Sequence, residues 1–150
     1  MIRVSRMADY GVLVLRHLAR HPGRLHKASE IASDAQLPLP TVSKLLKQFA
    51  QNDLLDSQRG ASGGYALART PEEISVADII RAVDGPIALT DCLEGPEGVC
   101  DLESFCPIRG PWERVNVAIR EALEGVSLAE IIAPWSPPGG GAEHRLCGTA

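Results

Sequence analysis

The chain has no run approaching the ~20 consecutive apolar residues that a membrane span requires. Its opening segment, MIRVSRMADYG, lacks the apolar stretch and small-residue cleavage site of a secretory signal. A cytoplasmic protein with no membrane partner is therefore expected. Also missing are a paired-carboxylate site, a nucleophile beside a base, and a phosphate-binding glycine loop ahead of a helix, since the glycines here fall in a hairpin. The expectation is a chain that is not an enzyme and has no small-molecule substrate. Internal repeats are absent too. With 150 residues, 45% of them hydrophobic, and a mean hydropathy of -0.01, there is room for one core and a short arm but not for a multidomain enzyme, because a domain takes roughly 100 to 150 residues.

The net charge of -4 argues against a nucleic-acid partner until the charges are located. Residues 1–70 carry ten Lys/Arg against five Asp/Glu, a net +5, whereas residues 71–150 carry five against fourteen, a net -9. Such asymmetry suits a chain whose first half meets a polyanion while the second serves assembly or sensing, although solvated helix faces also scatter charge in this way.

Between Val4 and Arg20 the apolar residues Met7, Tyr10, Gly11, Val14, Leu15 and Leu18 fall at helical spacing, and His21-Pro22-Gly23 stops them. A short helix is expected from about Lys27 to Ala35 with Ile31 inward. After Pro38 and Pro40 a third runs from Thr41 to Asn52 through Val42, Leu45, Leu46 and Phe49. Helix, turn and helix within about 25 residues is a helix-turn-helix pattern. Leu54-Leu55, the turn-rich SQRGASGG and Tyr65-Ala66-Leu67-Ala68 then read as a β-hairpin, the wing of such a motif. Ser75-Val76-Ala77-Asp78 looks like a capping box opening a helix that Gly85-Pro86 ends after Asp84. From Trp112 the spacing of Val115, Ile119, Ala122 and Val126 marks the seam of a helix that packs on another helix, a dimerisation element. The last residues are rich in Pro and Gly and are expected to be disordered.

The expected fold class is thus mainly α with a small β-hairpin. A winged helix-turn-helix over residues 1–84 is followed by a cysteine-rich loop over 85–111, a long dimerisation helix region over 112–132 and a tail over 133–150. On the third helix Thr41, Ser43, Lys44, Lys47 and Gln48 offer hydroxyl, ammonium and amide groups to base edges and phosphates. The plainer reading is that the lysines are the wet side of an amphipathic helix. Arg59 and Gly60 stand at the hairpin tip, where glycine permits close approach to a phosphate chain and an arginine can enter a minor groove.

In a reducing compartment Cys92, Cys100, Cys106 and Cys147 read as metal or redox residues rather than as a disulfide framework. The first three share one irregular loop and suit an iron-sulfur cluster or zinc, although their spacing is not the C-x-x-C knuckle of common zinc sites. His144 and Cys147 lie in the Gly-rich tail, apart from this loop. Alternatives stay open: a zinc or thiol-redox winged-helix regulator, and an iron-sulfur carrier or electron-transfer module, which would leave the basic wing unexplained.

The segments RVSRMADYGVLVLRHLA, LPLPTVSKLLKQF, RGASGGYALAR and EEISVADIIRAVDGPI, with the three-cysteine loop before Trp112, resemble the Rrf2 family of winged-helix transcription regulators of the IscR and NsrR type. Within it the chain most resembles regulators of SUF iron-sulfur assembly genes. The resemblance implies a homodimer reading palindromic double-stranded operator DNA, with Cys92, Cys100 and Cys106 holding a two-iron or four-iron cluster (2Fe-2S or 4Fe-4S) and Arg59 as the wing arginine. It also implies repression by the cluster-bound form. IscR-like members carry a histidine three residues after the last cysteine, where this chain has Arg109, which cannot ligate iron. NsrR-like members use an aspartate on the partner's first helix instead, and that position matches Asp9. An acid favoured by the dipole of its own helix is the competing explanation of Asp9.

Overall fold

The computed structural model describes residues 3–90, 93 and 106–134. Helix α1 (Arg6–Ala19) begins at Ser5, whose hydroxyl accepts the Ala8 N–H at 3.0 Å. Ala8, Val14, Leu15 and Leu18 form its buried stripe. Gly11 lies on the same stripe for a steric reason: a Cβ there would stand 2.7 Å from Cζ of Phe49. The absent side chain lets α1 cross closely over the helix that carries Phe49.

Helices α2 (Ala28–Ala35) and α3 (Leu39–Gln51) are joined by a tight turn. Gln36 takes a left-handed conformation (φ 52°), and the Leu37 N–H donates to the Ala32 carbonyl at 3.0 Å, which ends α2. Pro40 sits in the first turn of α3, where its missing N–H is not needed. Val42, Leu45, Leu46 and Phe49 are fully buried and join Val14, Leu15, Leu18 and Ile31 in one core. The expected helix-turn-helix is present, with α3 two residues longer at its start.

Strands β1 (Leu55–Gln58) and β2 (Gly64–Leu67) pair antiparallel, with Leu55 opposite Leu67 and Gln58 opposite Gly64. The hairpin is also tied to the segment before α2. His26 N–H donates to the Tyr65 carbonyl and Tyr65 N–H to the His26 carbonyl, both at 2.9 Å. Next, α4 (Val76–Asp84) opens with the expected capping box between Ser75 and Asp78 and stops at Gly85.

Helix α5 (Arg109–Glu124) starts three residues before the expected Trp112 because proline is accommodated in a first helical turn, here as Pro111. It also stops early. Glu124 is its last residue, so Val126 falls beyond the helix and the expected seam is cut at Gly125. A second capping box, Ser127 with Glu130, opens α6 (Leu128–Ile132). Here the chain returns to the head: Val76 N–H donates to Val126 O at 2.9 Å, Leu128 N–H to Ile74 O at 2.7 Å, and Leu128 is fully buried. Against α4 rests α5, while α6 rests against α1. Of the α5 side chains Asn116 alone is buried, and it accepts the Leu89 N–H. The expected disordered tail falls mainly on residues 135–150, outside the described residues, as do Cys92, Cys100, His144 and Cys147. No helix among the described residues is long and apolar enough to cross a membrane.

Candidate nucleic-acid interface and sensing segment

The inward face of α3 decides which of its side chains remain for a partner. With Val42, Leu45, Leu46 and Phe49 committed to the core, Lys44 and Lys47 are exposed and Thr41 and Ser43 half-buried. Gln48 departs from this group. Its Nε2 donates to the Val83 carbonyl at 3.2 Å, which directs the side chain to the α4 side of the helix. A cleft separates α3 from the hairpin, and Lys27, Lys47, Gln51, Arg59, Gly60 and Tyr65 are among its walls. Three cations thus face one space, and none of the described residues lining it is acidic. A surface of this kind attracts a phosphate chain through a positive potential that no carboxylate among the described lining residues offsets.

The hairpin tip is built by glycine. Gly60 adopts φ +104°, and its carbonyl accepts the Gly63 N–H at 3.0 Å. A Cβ on Gly63 would stand 2.2 Å from the Gln58 carbonyl oxygen, and one on Gly64 would stand 2.6 Å from that of His26. The first closeness shapes the tip that holds Arg59 outward; the second lets β2 lie against the His26 segment.

The proposed sensing residues are placed less completely. Cys106 is a free, half-buried thiol whose carbonyl accepts the Arg109 N–H at the start of α5. Asp9 is exposed in the first turn of α1. Cys92 and Cys100 lie outside the described residues.

Sequence reasoning missed a side-chain cluster behind the wing. His17 and His26 are buried, with His17 Nε2 3.0 Å from His26 Nδ1; Glu30 Oε1 lies 3.4 Å from the same Nδ1. His17 Nδ1–H donates to Asp34 Oδ2 at 2.7 Å and holds that carboxyl below its ordinary range. Burial pushes Glu30 upward, but Arg24 and His26 outweigh it and the net direction is down. A signal was present: three of the four histidines fall within residues 17–26, and His26 and Glu30 have the i, i+4 spacing of one helix face.

A basic recognition helix beside a glycine-shaped hairpin, on a core of short helices, defines a winged helix-turn-helix regulator. The chain belongs to the Rrf2 family, described as an iron-dependent transcriptional regulator, which matches residues 4–134. It is 30% identical over 133 residues to the HTH-type transcriptional regulator IscR of Sodalis glossinidius, covering 88% of this chain and 79% of that one. Among solved structures it is similar to T. potens IscR, at TM-score 0.61 and 32% identity over 87% of this chain and 86% of that one. It is also similar to CymR, the global cysteine regulator of B. subtilis, at TM-score 0.66 and 29% identity over 88% of this chain and 97% of that one. The chain is accordingly a transcriptional regulator, and its kin imply DNA binding.

The close contact at Gly63 carries a prediction. Gly63→Ala is expected to force the tip open, raising amide hydrogen exchange across residues 58–65 while α1 and α3 keep their protection. Unchanged exchange in the hairpin would show that the tip does not need the missing side chain.

Proposed function

We propose that this chain is an iron-sulfur-sensing repressor of iron-sulfur assembly (SUF) genes, a homodimer that reads double-stranded operator DNA and in which occupancy of the cysteine loop sets operator affinity. The observation that carries the DNA half is the cleft in which Lys47 of α3 and Arg59 of the wing face the same space without an acid beside them. Thr41, Ser43, Lys44 and Lys47 offer donors to base edges and phosphates, while Arg59 and Gly60 approach the backbone and minor groove. Gln48 joins them only by releasing Val83. In this reading residues 1–84 are the DNA-binding head, 85–111 the sensing loop and 112–132 the dimerisation region. Support for the last is the exposed apolar surface of α5, where Trp112 and Val115 are 41% and 44% exposed. A second copy covers that surface.

The donor set suits iron. Thiolates from Cys92, Cys100 and Cys106 with the carboxylate of Asp9 of the partner subunit would hold a 2Fe-2S or 4Fe-4S cluster, and the free thiol of Cys106 and the exposed carboxylate of Asp9 are compatible with it. When bound, the cluster supplies a cross-link between subunits that oxygen, nitric oxide or iron shortage can remove. The chain's own residues carry the message onward. Cys106 leads directly into α5, α5 rests on α4, and α4 holds α3 through Gln48 and Val83. Coupling is reciprocal, so DNA must alter affinity at the cysteine loop by the same factor that the loop alters affinity for DNA. The likeness to a cysteine regulator and the free Cys106 thiol favour one rival, a thiol-redox or zinc regulator, which keeps the DNA reading but purifies colourless.

Two measurements test this reading. On a duplex selected from a random library by the unaltered chain, Lys47→Ala and Arg59→Ala should each weaken binding and lower the slope of log K against log salt by about 1. Unchanged affinity and slope would remove the cleft from the interface. In protein purified without oxygen, Asp9→Ala should lose iron and alter the visible absorption spectrum, and an identical spectrum with full iron content would exclude Asp9 as a ligand.

A further inference from the structure

We propose a second metal site in the DNA-binding head, formed by His17 Nε2, His26 Nδ1 and a carboxylate oxygen of Glu30, that takes a divalent transition ion of the zinc type. These three donor atoms all lie within 4.8 Å of one another. Metal-ligand bonds of about 2.0–2.2 Å in a tetrahedron place neighbouring donors about 3.3 Å apart. The separations of 3.0 Å between the imidazoles and 3.4 Å between His26 and Glu30 bracket that spacing. Two imidazoles with one carboxylate form a borderline donor set that favours such ions over magnesium or calcium.

The tautomers point the same way. Because Asp34 accepts the Nδ1–H of His17, the neutral ring presents its Nε2 lone pair toward His26. This carboxylate behind a ligating imidazole is the orienting partner that metal-bound histidines use. His26 is 0% exposed and held by its backbone pair with Tyr65, and its Nδ1 faces His17 Nε2 and Glu30 Oε1. A cation held between these three donor atoms bonds both rings and the carboxylate at once. The exposed His21, its ring centre 5.6 Å and 5.5 Å from those of His17 and His26, or a water, completes the coordination. Arg24, which now bonds Glu30 Oε1 at 2.8 Å, is exposed and can move to the other oxygen.

The position gives the site a structural consequence. His17 lies in the last turn of α1, Glu30 belongs to α2, and His26 is bonded through both backbone groups to Tyr65 of β2. An ion there fastens the wing to the first two helices, and it does so independently of the cysteine loop.

The test uses the full chain with all four cysteines replaced by serine, so that thiolates cannot bind. Titration with zinc in a calorimeter should show one ion per chain, and thermal unfolding should move upward with zinc and not with magnesium. On this background Asp34→Asn should weaken zinc binding about 10–100-fold, and Glu30→Gln should weaken it at least as much. Both side chains are partly exposed, and far-ultraviolet dichroism in chelator verifies that the variants fold. Absence of saturable zinc binding, or binding that either substitution leaves unchanged, would overturn the site while leaving the cysteine-loop reading untouched.

Discussion

The meeting of Phe49 with Gly11 governs how this regulator presents itself. Among the described residues Phe49 is the largest fully buried side chain, and it belongs to α3, the helix that offers Lys44 and Lys47 outward. Interiors are packed closely enough that a methyl group in the wrong place is felt. With no side chain at position 11, α1 can lie close to α3. Val42, Leu45 and Leu46 complete the seat, so the outward face of α3 is defined by what its inward face touches. A DNA-reading helix has to be rigid in this sense, because base recognition depends on the placement of a few donors.

Around that seat the fold adds two ties that reach beyond local helix formation. The wing is bonded to the chain before α2 by the His26–Tyr65 pair, which fixes Arg59 relative to α3. The return of Leu128 into the core fastens the far end of the α5–α6 unit to the head while α5 keeps Trp112 and Val115 exposed. In the proposed dimer, an element anchored at its end and apolar on its free face would transmit a change at the subunit contact into the head. The charge division has the same logic: the basic half contains the cleft, and the acidic half contains the cysteine segment and α5.

Much of the head was legible in the residues because its determinants are local. The 3.6-residue spacing of Val42, Leu45, Leu46 and Phe49, the prolines at the start of α3 and the Ser75–Asp78 box act within one or two turns, and the structure contains each of them. The Ser127–Glu130 box has the same signature, yet it was hidden by a heptad-like run of apolar residues that continues across Gly125. Gln48 shows the limit from the other side. Its amide and its place on α3 suggest a contact to DNA, but the carbonyl that claims it lies 35 residues away on α4. The histidine cluster was not legible for the same reason: His17 and His26 meet only after α1 turns back at residues 20–27, and burial of both rings is a property of the packed core. For the sensing residues, spacing and chemistry carry the argument, with only Cys106 and Asp9 placed by the structure.

The central claim is that the state of the cysteine loop sets the affinity for DNA. It is tested most directly by measuring the affinity of one oxygen-free preparation for its selected duplex, before and after iron and sulfide are removed, at a fixed salt concentration. The account predicts brown protein that loses duplex affinity on removal, by a factor within the usual range of about 5–150 for coupled sites. Equal affinity in the two states, or a preparation that never contained iron and sulfide, would contradict it.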